Sequence, residues 1–471
     1  MNSQNSSKPL SLRWLVLSAS ALLGVALLAG CKGIPTKGER AARKDLQTVS
    51  NAFHPQPAER NLPALTNDSA LGDYLRFAML SQPSVEAAYF DWVASVERIT
   101  VERSLPDPRL SFESDIADIV MTVMPGLIQE FPGPGKLKAA ANVATAESRT
   151  KYFAFETSVL QTAFSLKRAY YQLWFLDENI RINRQTLGLL AELEEIARSQ
   201  NSAGKVTLQD VYRAQIEQDQ LTTEIANLED SHRPLIAQLK GALGLRRDQA
   251  DPPPPSQFES TPLDLNGDAL LDTAFARNPR LKTMEVDVRM AEAAIALARK
   301  SRVPDFSLGL MADAKAAPTM FRPQAGMTLP IWRDKIAAQI AQAQANKRAA
   351  EARLTSEQIM VTVDFAMKSY DYREITRNLA LLQDKLIPKA RQSLEIARAG
   401  YLSGQIDFFN LLDAERTLLN FQLQEVEART RREIVLADLS LSIAGIAPEG
   451  APLLPPATST SAPSSNQSTQ H

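Results

Sequence analysis

The chain is written twice, and any fold it adopts must respect that. Gln82-Pro83-Ser84-Val85 returns as Asn278-Pro279-Arg280-Leu281, and Leu105-Pro106-Asp107 returns as Val303-Pro304-Asp305. Phe131-Pro132, with Lys136 and Ala139-Ala140 behind it, returns as Leu329-Pro330 with Lys335 and Ala337-Ala338. Gly204-Lys205-Val206-Thr207-Leu208 returns as Gly404-Gln405-Ile406-Asp407-Phe408, and Gln215 falls where Glu415 falls. Leu239 to Leu243 matches Leu439 to Ile443. The landmarks keep one order at a spacing of roughly 200 residues, which marks a tandem duplication. Pro252-Pro253-Pro254-Pro255 joins the halves and reads as an extended spacer.

Within each half the helix breakers are confined. Residues 137–233 contain no proline, and residues 335–387 contain neither proline nor glycine. Both spans are rich in Ala, Leu, Gln, Glu and Arg, which favour helix. A helix from about Leu137 to Asn201 would be on the order of 100 Å long. Ala337, Ala338, Ala341, Ala345, Ala349 and Ala352 form a stripe of small residues along one helical face, so helices can approach closely. With aromatic residues at only 6%, a core built on large rings is not expected. Each rod ends at a glycine turn and resumes, with Thr207 and Asp407 placed as N-caps. The returning helices run to about Leu245 and Ile446, and Pro388 is expected to break its run into two stacked pieces. Each helical hairpin is preceded by a shorter helix of roughly 30 residues.

Two proline-bounded segments, 109–131 and 305–329, carry the other period. Leu110, Phe112, Ser114 and Ile116 alternate with Ser111, Glu113, Asp115 and Ala117. Phe306, Leu308, Leu310 and Ala312 alternate with Ser307, Gly309, Met311 and Asp313, and Ala325, Met327 and Leu329 with Gln324, Gly326 and Thr328. Such alternation means strands with one apolar and one polar face. Each segment holds two strands of about 9–11 residues, the length that crosses a membrane. Pro125-Gly126 is expected to interrupt the second strand, and Pro318 and Pro323 crowd the third and fourth. Four strands cannot close a barrel, and open edges cannot face lipid, so several chains must pool their strands. Two chains would give 8 strands, three 12 and four 16.

The first thirty residues supply an anchor. Lys8 and Arg13 precede an apolar run from Trp14 to Ala29, too short to span a bilayer and suited to a secretory signal. It ends Leu28-Ala29-Gly30-Cys31, the pattern of a signal cut before a cysteine that is then fatty-acylated, for instance with palmitate. Cys31 is the chain's only cysteine. Position 32 is Lys rather than Asp, so the usual inner-membrane retention signal is absent, which favours the outer membrane. The balance of 52 basic against 54 acidic side chains argues against a nucleic-acid partner. One cysteine and three histidines exclude a disulfide framework and most Cys/His metal sites.

The duplication, the strand segments opening with Pro106-Asp107 and Pro304-Asp305, and the run from Gly404 through Asn410-Leu411-Leu412-Asp413-Ala414 resemble the TolC-like outer membrane factors. Phe131-Pro132-Gly133-Pro134-Gly135-Lys136-Leu137 and Leu329-Pro330-Ile331-Trp332-Arg333 resemble the heavy-metal efflux branch of that family. The resemblance implies a mainly α protein with a membrane β-barrel. In it, duplicated helical hairpins form a long periplasmic α-barrel, and four strands per protomer build a 12-stranded barrel in a homotrimer. It implies the exit duct of a tripartite pump, passing substrates such as heavy-metal cations. The partners implied are a periplasmic adaptor, an inner-membrane transporter of the RND type and outer-membrane lipid. A duct for protein or peptide secretion is the alternative on the same fold.

The expected organisation is a lipoprotein signal peptide over 1–30, a lipid-anchored linker over 31–70 and a first repeat over 71–250. A Pro-rich linker follows over 251–262, then a second repeat over 263–446 and a Pro/Ser/Thr-rich disordered tail over 447–471. No catalytic constellation is present: His54, His232 and His471 form no triad. Gly133-Pro134-Gly135-Lys136 lacks the spacing of a phosphate loop and reads as a turn opening a helix. Met311, Met320 and Met327 read as apolar strand residues, so no metal site and no cofactor is expected, nor is enzyme activity. By resemblance, acidic residues near the hairpin turns narrow the periplasmic aperture. The matching positions are Asn410 and Asp413, with Asp210 in the first half; in a trimer each becomes a ring. The turns themselves, at Gly204, Lys205, Gly400, Gly404 and Gln405, are the expected adaptor-docking tips.

Overall fold

The computed structural model describes residues 35–53, 62–117, 120–255, 257–258, 260, 267–313 and 320–443. Cys31, the signal segment and the tail after Ile443 lie outside them. In chain order the helices are α1 (Lys37–Phe53), α2 (Leu71–Ser81), α3 (Pro83–Arg103), α4 (Lys136–Ser202) and α5 (Leu208–Ala242). The second half adds α6 (Gly267–Arg277), α7 (Pro279–Arg299), α8 (Arg333–Leu381), α9 (Ile387–Leu402) and α10 (Phe408–Ile443). Strands β1 (Arg109–Ala117) and β2 (Val120–Phe131) precede α4, and β3 (Phe306–Asp313) and β4 (Met320–Met327) precede α8.

The chain divides into two units. One comprises Val96–Thr145 and Ala293–Ala343, with the start of α1, and holds an antiparallel sheet in the order β1-β2-β3-β4. Residues paired across a ladder share a face. Leu110↔Leu127, Leu127↔Leu310, Phe306↔Met327 and Ala312↔Phe321 therefore gather on one side, and Gly126↔Met311, Ser307↔Gly326 and Met311↔Arg322 on the other. The alternation seen in the sequence is thus two real faces. Leu110, Phe112, Leu127, Leu308 and Phe321 are all exposed in the protomer, and on the opposite face Arg322 pairs with Asp313 at 2.7 Å.

The expected interruption of β2 does not occur. The strand runs unbroken through Pro125, which pairs with Phe112. The ladder to β3 begins one residue later, at Gly126, so the proline stands where that ladder ends. Pro323 lies in β4 opposite Leu310, and the strand runs on through it.

The other unit comprises Arg43–Ser95, Ala146–Glu292 and the chain from Gln344. α4 matches its expected limits closely, and Gly135, at φ +81, opens it. The short leading helix of each half is two helices rather than one. Pro83 and Pro279 each start a new helix, where the absent N–H would be unsatisfied anyway. Gln82 is extended, as a residue before proline must be, and Asn278 caps α7 through the N–H of Arg280 at 2.9 Å. The run that holds Pro388 is divided into two pieces, α8 and α9, as expected, but by a π turn rather than a clean stop. Leu382–Leu386 forms that turn, and Pro388 sits in the first turn of α9. α5 ends at Ala242, short of Leu245, because Gly244 at φ +72 closes a C-cap in which the Leu245 N–H reaches the Lys240 carbonyl at 3.0 Å.

Two further expectations need correction, and the proline spacer gains an anchor. The few aromatic residues are concentrated rather than absent from the core: Phe53, Tyr89, Trp92, Tyr152 and Phe155 pack at centroid spacings of 5.0 to 6.2 Å. The segment expected as a linker over 31–70 contains α1, capped by the Thr36 hydroxyl on the Glu39 N–H at 3.1 Å. Glu39 is fully buried and paired with Arg103 at 2.7 Å. The proline spacer is strapped down, since the Tyr74 hydroxyl donates to the Pro253 carbonyl at 2.9 Å and the Tyr170 hydroxyl to Gln257 at 2.7 Å.

Candidate functional site

The two glycine turns that join α4 to α5 and α9 to α10 are built by the same bonds. In the first, the Lys205 N–H donates to the Gln200 carbonyl at 2.9 Å; in the second, the Gln405 N–H donates to the Gly400 carbonyl at 2.8 Å. Gly204 at φ +68 and Gly404 at φ +77 occupy the left-handed position this motif requires. Gly400 is not a turn residue: it lies in the last turn of α9, and a Cβ there would stand 2.6 Å from the Ile406 side chain. Its glycine is a matter of close packing, not of turn geometry. Asp407 caps α10, accepting the Asn410 N–H at 2.8 Å, whereas Thr207 makes no side-chain cap bond.

Both hairpins share one apolar core. Leu190, Leu193 and Ala197 of α4 and Val211 and Ala214 of α5 pack with Tyr401, Phe408 and Leu411. Tyr401 and Phe408 meet edge-on at 5.4 Å. Polar ties cross between the halves as well. Arg416 pairs with Glu217 through Nε and Nη2, and Arg398 reaches Glu192 at 3.1 Å.

The aperture candidates fall in two groups. Asn410 and Asp413 are exposed and three apart on α10, hence on one face. Asp210, in the first turn of α5, is half-buried. Burial pushes its carboxyl above the usual range, Arg213 pulls it down and Asp407 pushes it up again. Asp210 in turn raises Tyr401, whose buried hydroxyl has no hydrogen-bond partner among the described residues and is pushed up to about 12, chiefly by burial. So Asp210 is acted on by Asp407 and itself acts on Tyr401 across the halves, while Asn410 and Asp413 are exposed. The sequence carries no sign of the link from Asp210 to Tyr401 and Asp407, because it depends on α5 meeting α9 and the start of α10. Among the described residues no group of His, Cys, Asp and Glu could hold a metal ion.

A second junction lies at the strand-to-helix joints. Asp305, just before β3, accepts the Gly133 N–H at 2.7 Å and the Lys136 Nζ at 2.7 Å. A Cβ on Gly133 would come within 2.4 Å of the Pro304 carbonyl oxygen, so only glycine fits there. The Gly133-Pro134-Gly135-Lys136 run therefore fastens the two halves together while opening α4.

Residues 78–245 and 270–445 match the family model described as outer membrane efflux protein. The cobalt-zinc-cadmium resistance protein CzcC of Cupriavidus metallidurans is 21% identical over 264 residues, covering 54% of this chain. The match spans 61% of the CzcC length. The probable outer membrane lipoprotein SilC of Salmonella typhimurium is 25% identical over 336 residues, covering 66% of this chain and 69% of SilC. Among solved structures, a membrane protein from Pseudomonas aeruginosa shares the fold with a TM-score of 0.72 at 20% identity, over 83% of this chain and 93% of that one.

Proposed function

Because the chain belongs to the outer membrane efflux protein family, we propose that three copies form an outer-membrane exit duct of a tripartite efflux pump. The observation that carries the reading is the pair of open sheet edges. β1 and β4 are the outer strands of a four-stranded antiparallel sheet, so they run in opposite directions. The β4 of one copy can then pair with the β1 of the next, and three copies make twelve strands with no edge left. The sheet's exposed apolar face suits lipid, where an unpaired backbone group costs several kcal/mol.

The helices point to the same assembly. The alanines at 337, 338, 341, 345 and 352 are exposed in the protomer, as are Ile359, Met360 and Met367 further along α8. A face this apolar on a single copy is suited to a neighbouring helix. Cys31 would carry the lipid that anchors the chain, in keeping with the lipoprotein name of SilC. The name of CzcC, a cobalt-zinc-cadmium resistance protein, favours metal cations as cargo, delivered through a periplasmic adaptor from an RND-type transporter. The turns at Gly204, Lys205, Gly404 and Gln405 would meet the adaptor, with Gly400 setting the packing behind the second turn. Asp413, Asn410 and Asp210 would narrow the aperture. The duct itself does no covalent chemistry; its work is passive conduction. The test is deletion of the gene in its own host. Sensitivity to divalent metal ions should rise and be restored by the intact gene. Unchanged metal tolerance with lost export of a protein would move the cargo to the secretion class.

A further inference from the structure

Glu415 of α10, in the packing between the hairpins, is only 2% exposed. Both of its carboxylate oxygens are buried and accept no hydrogen bond among the described residues. The duplication accounts for this. In the first half, Glu194 accepts from the Gln215 amide at 2.8 Å and the Gln218 amide at 2.9 Å. Two hundred positions on stand Leu394, Glu415 and Leu418. The acid has moved from the outgoing helix to the returning one, and both amides that would have served it are gone.

What surrounds Glu415 gives it no counter-charge. It borders a cavity of about 280 Å³ shared by α4, α5 and α10. α4 presents no charged group there, α5 presents Glu217 and Glu224, and α10 itself presents Arg416. Arg416 is already engaged by Glu217, and Glu224 adds only like charge. An ionised carboxylate held this deeply with no donor on either oxygen is costly, and taking up a proton relieves that cost.

We propose that Glu415 is a proton-binding site, and that loss of its proton loosens the packing of α10 against α4 and α5. Burial pushes this carboxyl up to about 7. The sign follows from linkage: a raised acid makes the packed form the greater proton binder between its ordinary value near 4.5 and its raised one. Packing is then tightest below that window, weakens as pH climbs through it, and has lost the contribution above about 7. If opening returns the carboxyl to water, the opening equilibrium shifts about tenfold between pH 6 and pH 8.

This inference does not rest on the duct reading, because it concerns packing and not transport. The experiment is amide hydrogen exchange on the assembled full-length protein at pH 6 and pH 8, corrected for the intrinsic pH dependence of exchange. Segments 208–225 and 408–425 of the natural protein should lose about tenfold in protection, while Glu415→Gln should show equal protection at both pH values. Glu415→Leu, which removes charge and hydrogen-bonding capacity together, should match it and covers the case that one variant fails to fold. Flat protection in the natural protein overturns the proposal. So does a pH shift that persists in either variant.

Discussion

Lys136 and Asp305 meet at 2.7 Å across 169 residues of chain, and the same Asp305 oxygen takes the Gly133 N–H. One carboxylate thus ties the start of α4 in the first half to the start of β3 in the second. The two donors outweigh the effect of burial and hold Asp305 below the usual carboxylate range.

Asp305→Ala should cost about 1 kcal/mol, the value of a charged hydrogen bond discounted because Asp305 is 40% exposed. Asp305→Asn keeps an acceptor for Gly133 and should cost less. The contribution is present above pH 4 and disappears as pH falls through the depressed value, so natural protein and variant should converge in acid. Heat titration of the assembled oligomer on gels reads the difference. Equal resistance of Asp305→Ala and natural protein at pH 7 would remove the joint from the account.

Gly404→Val places a β-branched residue at φ +77 with nothing near its Cβ, so the cost is backbone strain of roughly 1–2 kcal/mol confined to the turn. Oligomer content in the outer membrane should stay normal while crosslinking to the adaptor falls. Loss of the oligomer instead would make the turn a folding element.

How much of this was legible depended on how local the cause is. The limits of α4, the face alternation of the strands and the left-handed glycines at 204 and 404 follow from neighbouring residues, and the structure agrees with them. The start of α1 was legible too, because Thr36 and Glu39 stand three apart, but its closeness to the signal segment made it look like linker. Pro83 and Pro279 mark helix starts that the apolar period alone does not show, because it runs on across them. The Lys136–Asp305 joint, the Tyr74–Pro253 strap and the partnerless Glu415 were out of reach, since each depends on residues brought together from separate elements.

Asp413 is exposed on the face that carries Asn410, and the aperture proposal puts its charge beside a passing ion. Asp413→Asn should leave assembly unchanged and reduce the cation preference of single channels in planar bilayers by several-fold, since one substitution removes three charges from a trimer. Unchanged ion preference would take Asp413 out of the aperture.

Cys31→Ser should abolish incorporation of a fatty-acid analogue in growing cells. The four strands supply a membrane attachment of their own, so some assembled protein should persist. Label retained in the variant would mean that the lipid, if any, sits elsewhere.

The claim on which the account turns is that open edges β1 and β4 are closed by other copies of this chain. Native mass determination of the detergent-extracted protein measures this directly. The account predicts a single species of three chains, giving twelve strands and no edge. A monodisperse monomer would contradict it, because four strands in a bilayer would then stand with both edges unpaired.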